Sequence, residues 1–445
     1  MQRRDVLNAT RRHDDGGARV RRRDILKAAS GLLGGLGLAG CAAPGRSVPA
    51  SARVLVVGGG YGGATAAKYL RLFSDRRLDV VLVEPDAAFV SCPLSNLVLG
   101  GLRTMADITV PYTGLARAHG VTVARDTVTG IDPVKRIATL ASGAPIRYDK
   151  LVLSPGVEMV WASVAGLERA SAEGRIVQAW KAGPETEILR RQLEAMPDGG
   201  TFAIVIPEAP YRCPPGPYER ACLVASYFKR AKPRAKLLIL DANEDVTSKG
   251  PLFRKAWAES YAGMIEYRPQ YKAMAVDAAT NTVQFEVQDD VRADVLNVLP
   301  EMRAGAIAMR TGLANSNARW CNVAFLNFES TVARHIHVLG DSIQIAPAMP
   351  KSGHMANSQA KVVAAAIVAE LGDAAVDPAP MLSNTCYSYV DAQRAVHVAS
   401  VHEYVSAERT FKTVPGSGGL SSAASELEGR YAWNWARTIW ADALS

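Results

Sequence analysis

The sequence predicts an α/β fold class: two strand–turn–helix–strand units in series, followed by a separate C-terminal segment. Three observations carry this. An apolar run at residues 54–57 is followed by Gly58, Gly60 and Gly63 in G-x-G-x-x-G spacing, and residues 64–72 continue as a helix. The same order recurs near Gly200, with a strand at 201–206, a helix at 216–232 and a strand at 235–240 closed by Asp241. A late strand, 335–339, ends in Gly340-Asp341 and precedes residues 347–371, whose latter part is a strong alanine-rich helix. Short apolar runs alternating with helical stretches are the pattern of βαβ units around a parallel sheet.

In the first unit each glycine has a physical task. Gly58 permits a tight turn, Gly60 lets the backbone approach a pyrophosphate, and Gly63 allows close helix–strand contact. The phosphates would sit at the helix N-terminus, where free N–H groups and the helix dipole favour anions. The next strand, 79–83, ends in Glu84, placed where a ribose-binding acid belongs, roughly 20 residues on. Together these features predict a dinucleotide site. Residues 85–101 form a loop holding Cys92, and 108–119 include a helix. A strand follows at 121–124, then a hairpin from 136–140 and 146–148, and 151–156 is a buried strand ending in a turn.

The second unit departs from the first at its turn. Pro207 to Arg220 reads PEAPYRCPPGPYER, with prolines and a cysteine where a phosphate cradle needs glycines. Proline removes an N–H donor and fixes φ. The second unit is therefore expected to keep a nucleotide-binding outline without an NAD(P)H site.

The chain's formal charge is +8 over 445 residues, but residues 1–40 carry nine Lys/Arg and four acids, a net +5. The remainder is close to neutral, which removes most support for a nucleic-acid partner. The basic start reads as an address. Arg22-Arg23-Asp24-Ile25-Leu26-Lys27 resembles the twin-arginine export motif, and the apolar run from Ala28 to Gly40 suits a signal-peptide core but is too short to span a bilayer. Two ends for this leader compete. Leu38-Ala39-Gly40-Cys41 resembles a lipobox that would anchor Cys41 to lipid, and Ala50-Ser51-Ala52 offers a small-residue cleavage site. The expected location is the periplasm, with no transmembrane segment.

Six cysteines are present: Cys41, Cys92, Cys213, Cys222, Cys321 and Cys386. No C-x-x-C-H, C-x-x-C or H-E-x-x-H occurs, so neither a c-type haem nor a metal site is expected on this chain. The strings VVGGGYGGATAAKYL, FVSCPLSN, RCPPGPYERA, GD…PAMPKSG…ANSQ and NTCYS resemble the flavoprotein subunit of flavocytochrome c sulfide dehydrogenase, from about residue 53 to 444. The wider fold resembles glutathione-reductase-like two-dinucleotide-domain flavoproteins with a C-terminal interface domain, including sulfide:quinone oxidoreductases. The layout this implies is a leader at 1–52 and an FAD-binding domain in two parts, 53–165 and 301–377. The NAD-like domain at 166–300 and a C-terminal flavin and interface domain at 378–445 complete it.

The resemblance also implies roles. Cys92 matches the cysteine joined through a thioether to the 8α-methyl of FAD, although Pro93 stands where some members have an aromatic residue. Cys213 and Cys386 match the pair forming a redox-active disulfide beside the flavin; spacing alone does not separate that from a structural staple. Glu219 matches a carboxylate near the disulfide, against the plainer reading of a first-turn glutamate stabilised by the helix dipole. Asp341, Lys351 and Trp435 join Gly58, Gly60, Gly63 and Glu84 as expected cofactor-binding residues, while Cys222, Cys321 and Trp440 are read as packing residues. The implied activity is sulfide oxidation through the disulfide to FAD, with electrons passed to the haem of a separate c-type cytochrome subunit. Two rivals are a sulfide:quinone oxidoreductase-like enzyme and a non-catalytic cytochrome-docking or sulfur-binding subunit.

Overall fold

The coordinates are a computed structural model that describes residues 48–49 and 51–445. The twin-arginine motif, Cys41 and Ala50 lie outside the described residues. No described helix is long and apolar enough to cross a membrane.

The first glycine loop is set in a seven-stranded sheet. Five strands run parallel in the order Ile336–Val338, Lys150–Leu153, Arg53–Val57, Asp79–Val83 and Thr122–Ala124. Two short antiparallel strands, Glu329–Ser330 and Val323–Ala324, extend it at one edge. Val54, Leu55 and Val56 are wholly buried, as a central parallel strand covered on both faces requires. From Val57 the chain turns into the helix Tyr61–Phe73 and on to Asp79–Val83, whereas Lys150–Leu153 lies on the opposite flank. Strand order reverses between these two neighbours, and a crevice opens beyond their C-terminal ends, the general ligand position in such sheets.

Helix Tyr61–Phe73 begins three residues before the apolar pattern suggests, because Gly62 and Gly63 lie inside its first turn. They let it pack closely: a Cβ on Gly62 would strike the Leu339 side chain, and one on Gly63 would strike the Gly58 carbonyl. The helix lies against Gly353–Leu371. Pro347 and Pro350 delay that second helix until Ser352, whose Oγ caps it by accepting from Met355 N at 3.1 Å. A similar effect shortens the helix expected within 108–119 to Thr113–His119, behind a strand ending at Pro111.

The second unit is a four-stranded parallel sheet in the order Ile265–Pro269, Lys236–Asp241, Thr201–Ile206, Val295–Val298. Its helix, Gly216–Ala231, is buried along most of its length, between its own sheet and the strand Met381–Tyr389. That strand pairs antiparallel with Ala395–Val405 in the C-terminal sheet. The closing helix, Glu426–Leu444, is capped by Ser425 and packs back on Tyr61–Phe73.

Candidate functional site

Beyond the ends of Arg53–Val57 and Lys150–Leu153 lies a cavity of about 260 Å³, lined by the glycine loop, the Cys92 loop, the second-unit turn, the start of Gly353–Leu371 and the strand holding Cys386. Gly58 has φ +94°, and a Cβ there would run into the Ser154 carbonyl. Gly60 lines the cavity, and a Cβ on it would meet no atom within 4 Å, so its face is open to a ligand. Glu84 Oε2 accepts from Gly59 N at 2.6 Å and Oε1 from Asp86 N at 3.0 Å. Burial raises the Glu84 pKa against the pull of those two N–H groups.

Across the cavity, Asp341 is pushed up by burial, against the opposing charges of Arg212 and Lys351, and its buried Oδ1 has no hydrogen-bond partner. Trp435, stacked obliquely near Tyr387 and His354, has a buried Nε1 that also lacks one. An unpaired buried polar group costs about 1–3 kcal/mol. Two of them on the lining of one cavity, with an open glycine face opposite, fit a bound polar cofactor such as the expected FAD. Ser352, Gly353 and His354 present the helix N-terminus to the same space, where its dipole favours negative charge. His354 Nδ1 accepts from Thr385 N at 2.8 Å, and burial keeps its pKa below the ordinary value.

Cys92 lines the cavity and its Sγ accepts from Ala182 N at 3.4 Å. Cys213 sits in the turn of the second unit, in the left-handed region at φ +58°. Its N donates to Lys351 O and its O accepts from Gly216 N, both at 2.9 Å. A Cβ on Gly216 would lie 3.0 Å from the Cys213 sulfur and 2.6 Å from the Trp180 ring, so only glycine leaves room for both. Cys386 arrives on Met381–Tyr389 close enough to Cys213 for the two thiols to titrate together, and its Sγ donates to Tyr387 O at 3.8 Å. Both are free thiols here, so the expected disulfide is not closed and the pair stands as a dithiol. The neighbouring Cys213 thiol, then the nearby Lys249 ammonium, hold Cys386 below the ordinary thiol range; the Cys386 sulfur and burial hold Cys213 above it.

Glu219 is buried beside the pair. Its Oε1 accepts from Tyr389 N at 2.8 Å and its Oε2 from Asn96 Nδ2 at 2.9 Å. Burial pushes its pKa up to about 7 against these bonds. Glu219 does stand in the first turn of Gly216–Ala231, and both its carboxylate oxygens are bonded to partners outside that helix. Lys351 requires a correction. Its Nζ donates to the Asp341 and Ile343 carbonyls at 2.8 and 2.6 Å and lies 3.6 Å from the Trp320 ring centroid, outside the cavity lining. Its part in the site is the carbonyl that holds Cys213. Cys222, Cys321 and Trp440 are buried, and Trp440 Nε1 donates to Tyr61 OH at 3.0 Å.

Several contributors are not singled out by sequence reasoning. Arg220 is 1% exposed, bonds Asn96 Oδ1 at 3.0 Å, Asn297 Oδ1 at 2.7 Å and Ala179 O at 2.7 Å, and lies over Trp180. The available signal was a charged pair, Glu219-Arg220, opening a helix with apolar sides. Asn96 closes the string FVSCPLSN, and Lys249 carried no comparable signal. Among the described residues no cluster of His, Cys, Asp and Glu could hold a metal ion.

The second unit offers no matching dinucleotide cradle. Asp241, at the position of a ribose-binding acid, is wholly buried and already bonded: Oδ2 to Tyr218 OH at 2.7 Å and Tyr267 OH at 3.2 Å, Oδ1 to Asn243 Nδ2 at 2.7 Å.

Three protein families match successive parts of the chain. Pyridine nucleotide-disulphide oxidoreductase matches residues 52–187. Sulfide dehydrogenase [flavocytochrome c] flavoprotein chain, central, matches 186–300, and flavocytochrome c sulphide dehydrogenase, flavin-binding, matches 378–444. The sulfide dehydrogenase [flavocytochrome c] flavoprotein chain of Chlorobaculum thiosulfatiphilum is 63% identical over 46 residues, 10% of this chain and 94% of that short relative. The mitochondrial sulfide:quinone oxidoreductase of Dictyostelium discoideum is 24% identical over 302 residues, 65% of each chain. In fold, the sulfide:quinone oxidoreductase of Aquifex aeolicus superposes with a TM-score of 0.72 at 19% identity, covering 88% of this chain and 91% of that one. A putidaredoxin reductase in complex with putidaredoxin gives 0.63 at 16% identity, over 87% and 93%.

Proposed function

Because the chain belongs to the family of the flavoprotein chain of flavocytochrome c sulfide dehydrogenase, we propose that it oxidises sulfide through Cys213 and Cys386 and delivers the electrons by way of FAD to a c-type cytochrome subunit. One observation carries this reading. Two cysteines from separate parts of the chain meet as neighbours on the wall of the cavity that the glycine loop also lines. A structural staple would have no need of that cavity.

In this reading the helix N-terminus behind Gly58 and Gly60 holds the pyrophosphate, Glu84 the ribose, and Asp341 the polyol chain. Cys92 supplies the thioether that ties the cofactor to the chain. When bound, the flavin supplies the two-electron acceptance and one-electron release that thiols lack. The chain's own residues do the sulfur chemistry. Hydrosulfide attacks one sulfur of the oxidised pair, the sulfur–sulfur bond breaks, and a persulfide and a thiolate result. Glu219, titrating near neutrality, is the group positioned to take up and return protons. The twin-arginine leader places the folded, cofactor-loaded protein in the periplasm.

Resemblance to sulfide:quinone oxidoreductases supports a second reading, in which a quinone accepts the electrons. The test is purification from the native host with any bound partner, followed by anaerobic sulfide addition. Sulfide-dependent haem reduction is expected; reduction of an added short-chain quinone with no haem reduction would favour the second reading. Acid precipitation of the same sample should leave a fluorescent flavin on the denatured polypeptide, and flavin released wholly to the supernatant would refute the Cys92 linkage.

A further inference from the structure

Lys249 stands just before the helix Gly250–Ser260, with φ +56° and only 4% of its surface exposed. Its Nζ donates to Cys386 O at 2.6 Å and to Ser388 Oγ at 2.8 Å, and its charge acts on the Cys386 sulfur, lowering that thiol's pKa. Those two bonds use two of the three ammonium donors, and both partners lie on the strand Met381–Tyr389. Lys249 makes no ion pair with a carboxylate among the described residues; Glu219 acts on it only through space. A buried ammonium without a counter-ion is costly. The atom positioned to balance it is the Cys386 sulfur.

Cys213 has no cation to itself: Arg212 is shared with Cys92 and Asp341, and the buried Arg220 is bonded to Asn96, Asn297, Gln178 O and Ala179 O. The other groups facing Cys386 are Cys213, the buried Glu219, which acts through space on both Cys386 and Lys249, the Tyr387 carbonyl, which accepts from Cys386 Sγ at 3.8 Å when that thiol is protonated, and His354 beside Thr385, whose pKa burial lowers.

We propose that Lys249 is a positioning residue that fixes the polarity of the cysteine pair, making Cys386 the thiolate of the reduced pair and the leaving sulfur when the disulfide opens. The lower-pKa thiol leaves faster. Resting on the sulfide reading, the step is then specified. Hydrosulfide bonds to Cys213 Sγ, the Sγ–Sγ bond breaks, and its electron pair passes to Cys386 Sγ beside the ammonium. The hydrosulfide proton stays on the terminal sulfur.

The test alkylates the FAD-loaded protein after anaerobic reduction with dithiothreitol and its removal. Iodoacetamide labelling from pH 5 to 9 is followed separately on the Cys386 and Cys213 peptides by mass spectrometry. In the wild type, Cys386 should label first, with a midpoint below the ordinary thiol range. Lys249→Met should raise that midpoint by a unit or more, cutting Cys386 labelling at pH 6 about tenfold, and Lys249→Arg should restore most of it. Lys249→Gln keeps a donor without the charge and serves where the methionine variant does not fold. Faster labelling of Cys213 in the wild type would overturn the proposal, as would a flavin-loaded Met or Gln variant with an unchanged Cys386 profile. None of these readouts needs sulfide. Brief sulfide treatment of the oxidised protein, trapped with the same reagent, should add one sulfur to the Cys213 peptide; an added sulfur on the Cys386 peptide would overturn the polarity. No persulfide on either peptide, with the labelling profile as expected, would support the polarity and refute the sulfide reading instead.

Discussion

The two strand–turn–helix units share an outline and differ in what fills it. In the first, glycines leave an open face at Gly60, and Glu84 reaches only a loop N–H and its own turn. In the second, prolines occupy the turn and Asp241 is saturated by two tyrosine hydroxyls and Asn243. The second turn nevertheless lines the cavity. It carries Cys213 out of its own unit and into the cavity of the first, where Lys351 O and the space left by Gly216 fix it. One unit offers an open glycine cradle, and the other extends its loop as an arm that brings Cys213 to the same cavity.

The sharpest way to break this comparison is to remove the arm's chemistry and leave its fold. Cys213→Ser and Cys386→Ser should each retain flavin and a folded spectrum, yet lose sulfide-driven flavin reduction by about a thousandfold or more. Reduction by dithionite, which needs no thiol, should persist in both. Stopped-flow absorbance under anaerobic conditions makes the measurement. Variants that melt earlier but oxidise sulfide at near wild-type rates would reduce the second turn to a structural staple.

The contrast between the two turns was legible in the sequence because backbone chemistry writes it directly. Glycine and proline differ in φ and in N–H donors, so Gly58 and the Pro207–Pro217 stretch declare their geometry without any tertiary context. Cys92, Cys213 and Cys386 stood out by motif resemblance, and the structure brings them to one cavity. Lys351 was misplaced, because a motif fixes a backbone position but not where a long side chain turns; burial against Trp320 and two carbonyls decided that. Asn96 and Arg220 stand inside the strings FVSCPLSN and RCPPGPYERA without a role of their own being read from them, and Lys249 stands outside every such string. Their contacts come from long-range packing around the second unit's helix and the strand Met381–Tyr389.

A smaller effect should come from Glu219, which opens the second unit's helix where the first has an anion-binding terminus. Its folded pKa of about 7 lies above the usual 4.5. Its protonated form is therefore the one folding favours: the associated stability is full below about pH 4.5 and is lost as pH rises through 7, on the order of 3 kcal/mol. Glu219→Gln should flatten the wild-type fall in melting temperature between pH 5 and 8. It should also slow sulfide oxidation by roughly tenfold to a hundredfold and remove a break in the rate profile near pH 7. A variant with the wild-type pH profile would exclude Glu219 from proton handling.

The smallest expected effect is none at all, and it is the strictest test of the comparison. Millimolar NADH or NADPH, mixed anaerobically with the oxidised protein, should not bleach the flavin. The reason is physical: the second turn lacks the N–H donors that a second pyrophosphate needs, and the Asp241 carboxylate is already bonded on both oxygens. These two obstacles are independent and can be separated. Tyr218→Phe combined with Tyr267→Phe frees Asp241 Oδ2 at a cost of about 1–3 kcal/mol per lost bond, visible as a lower melting temperature. It leaves the proline turn intact. If the turn is decisive, the double variant remains unresponsive to NADH although its ribose-binding acid is free. Bleaching in the double variant alone would show that the tyrosines, not the prolines, closed the second cradle. Bleaching in the wild type would mean that both units bind dinucleotides, and the contrast between cradle and arm would fail.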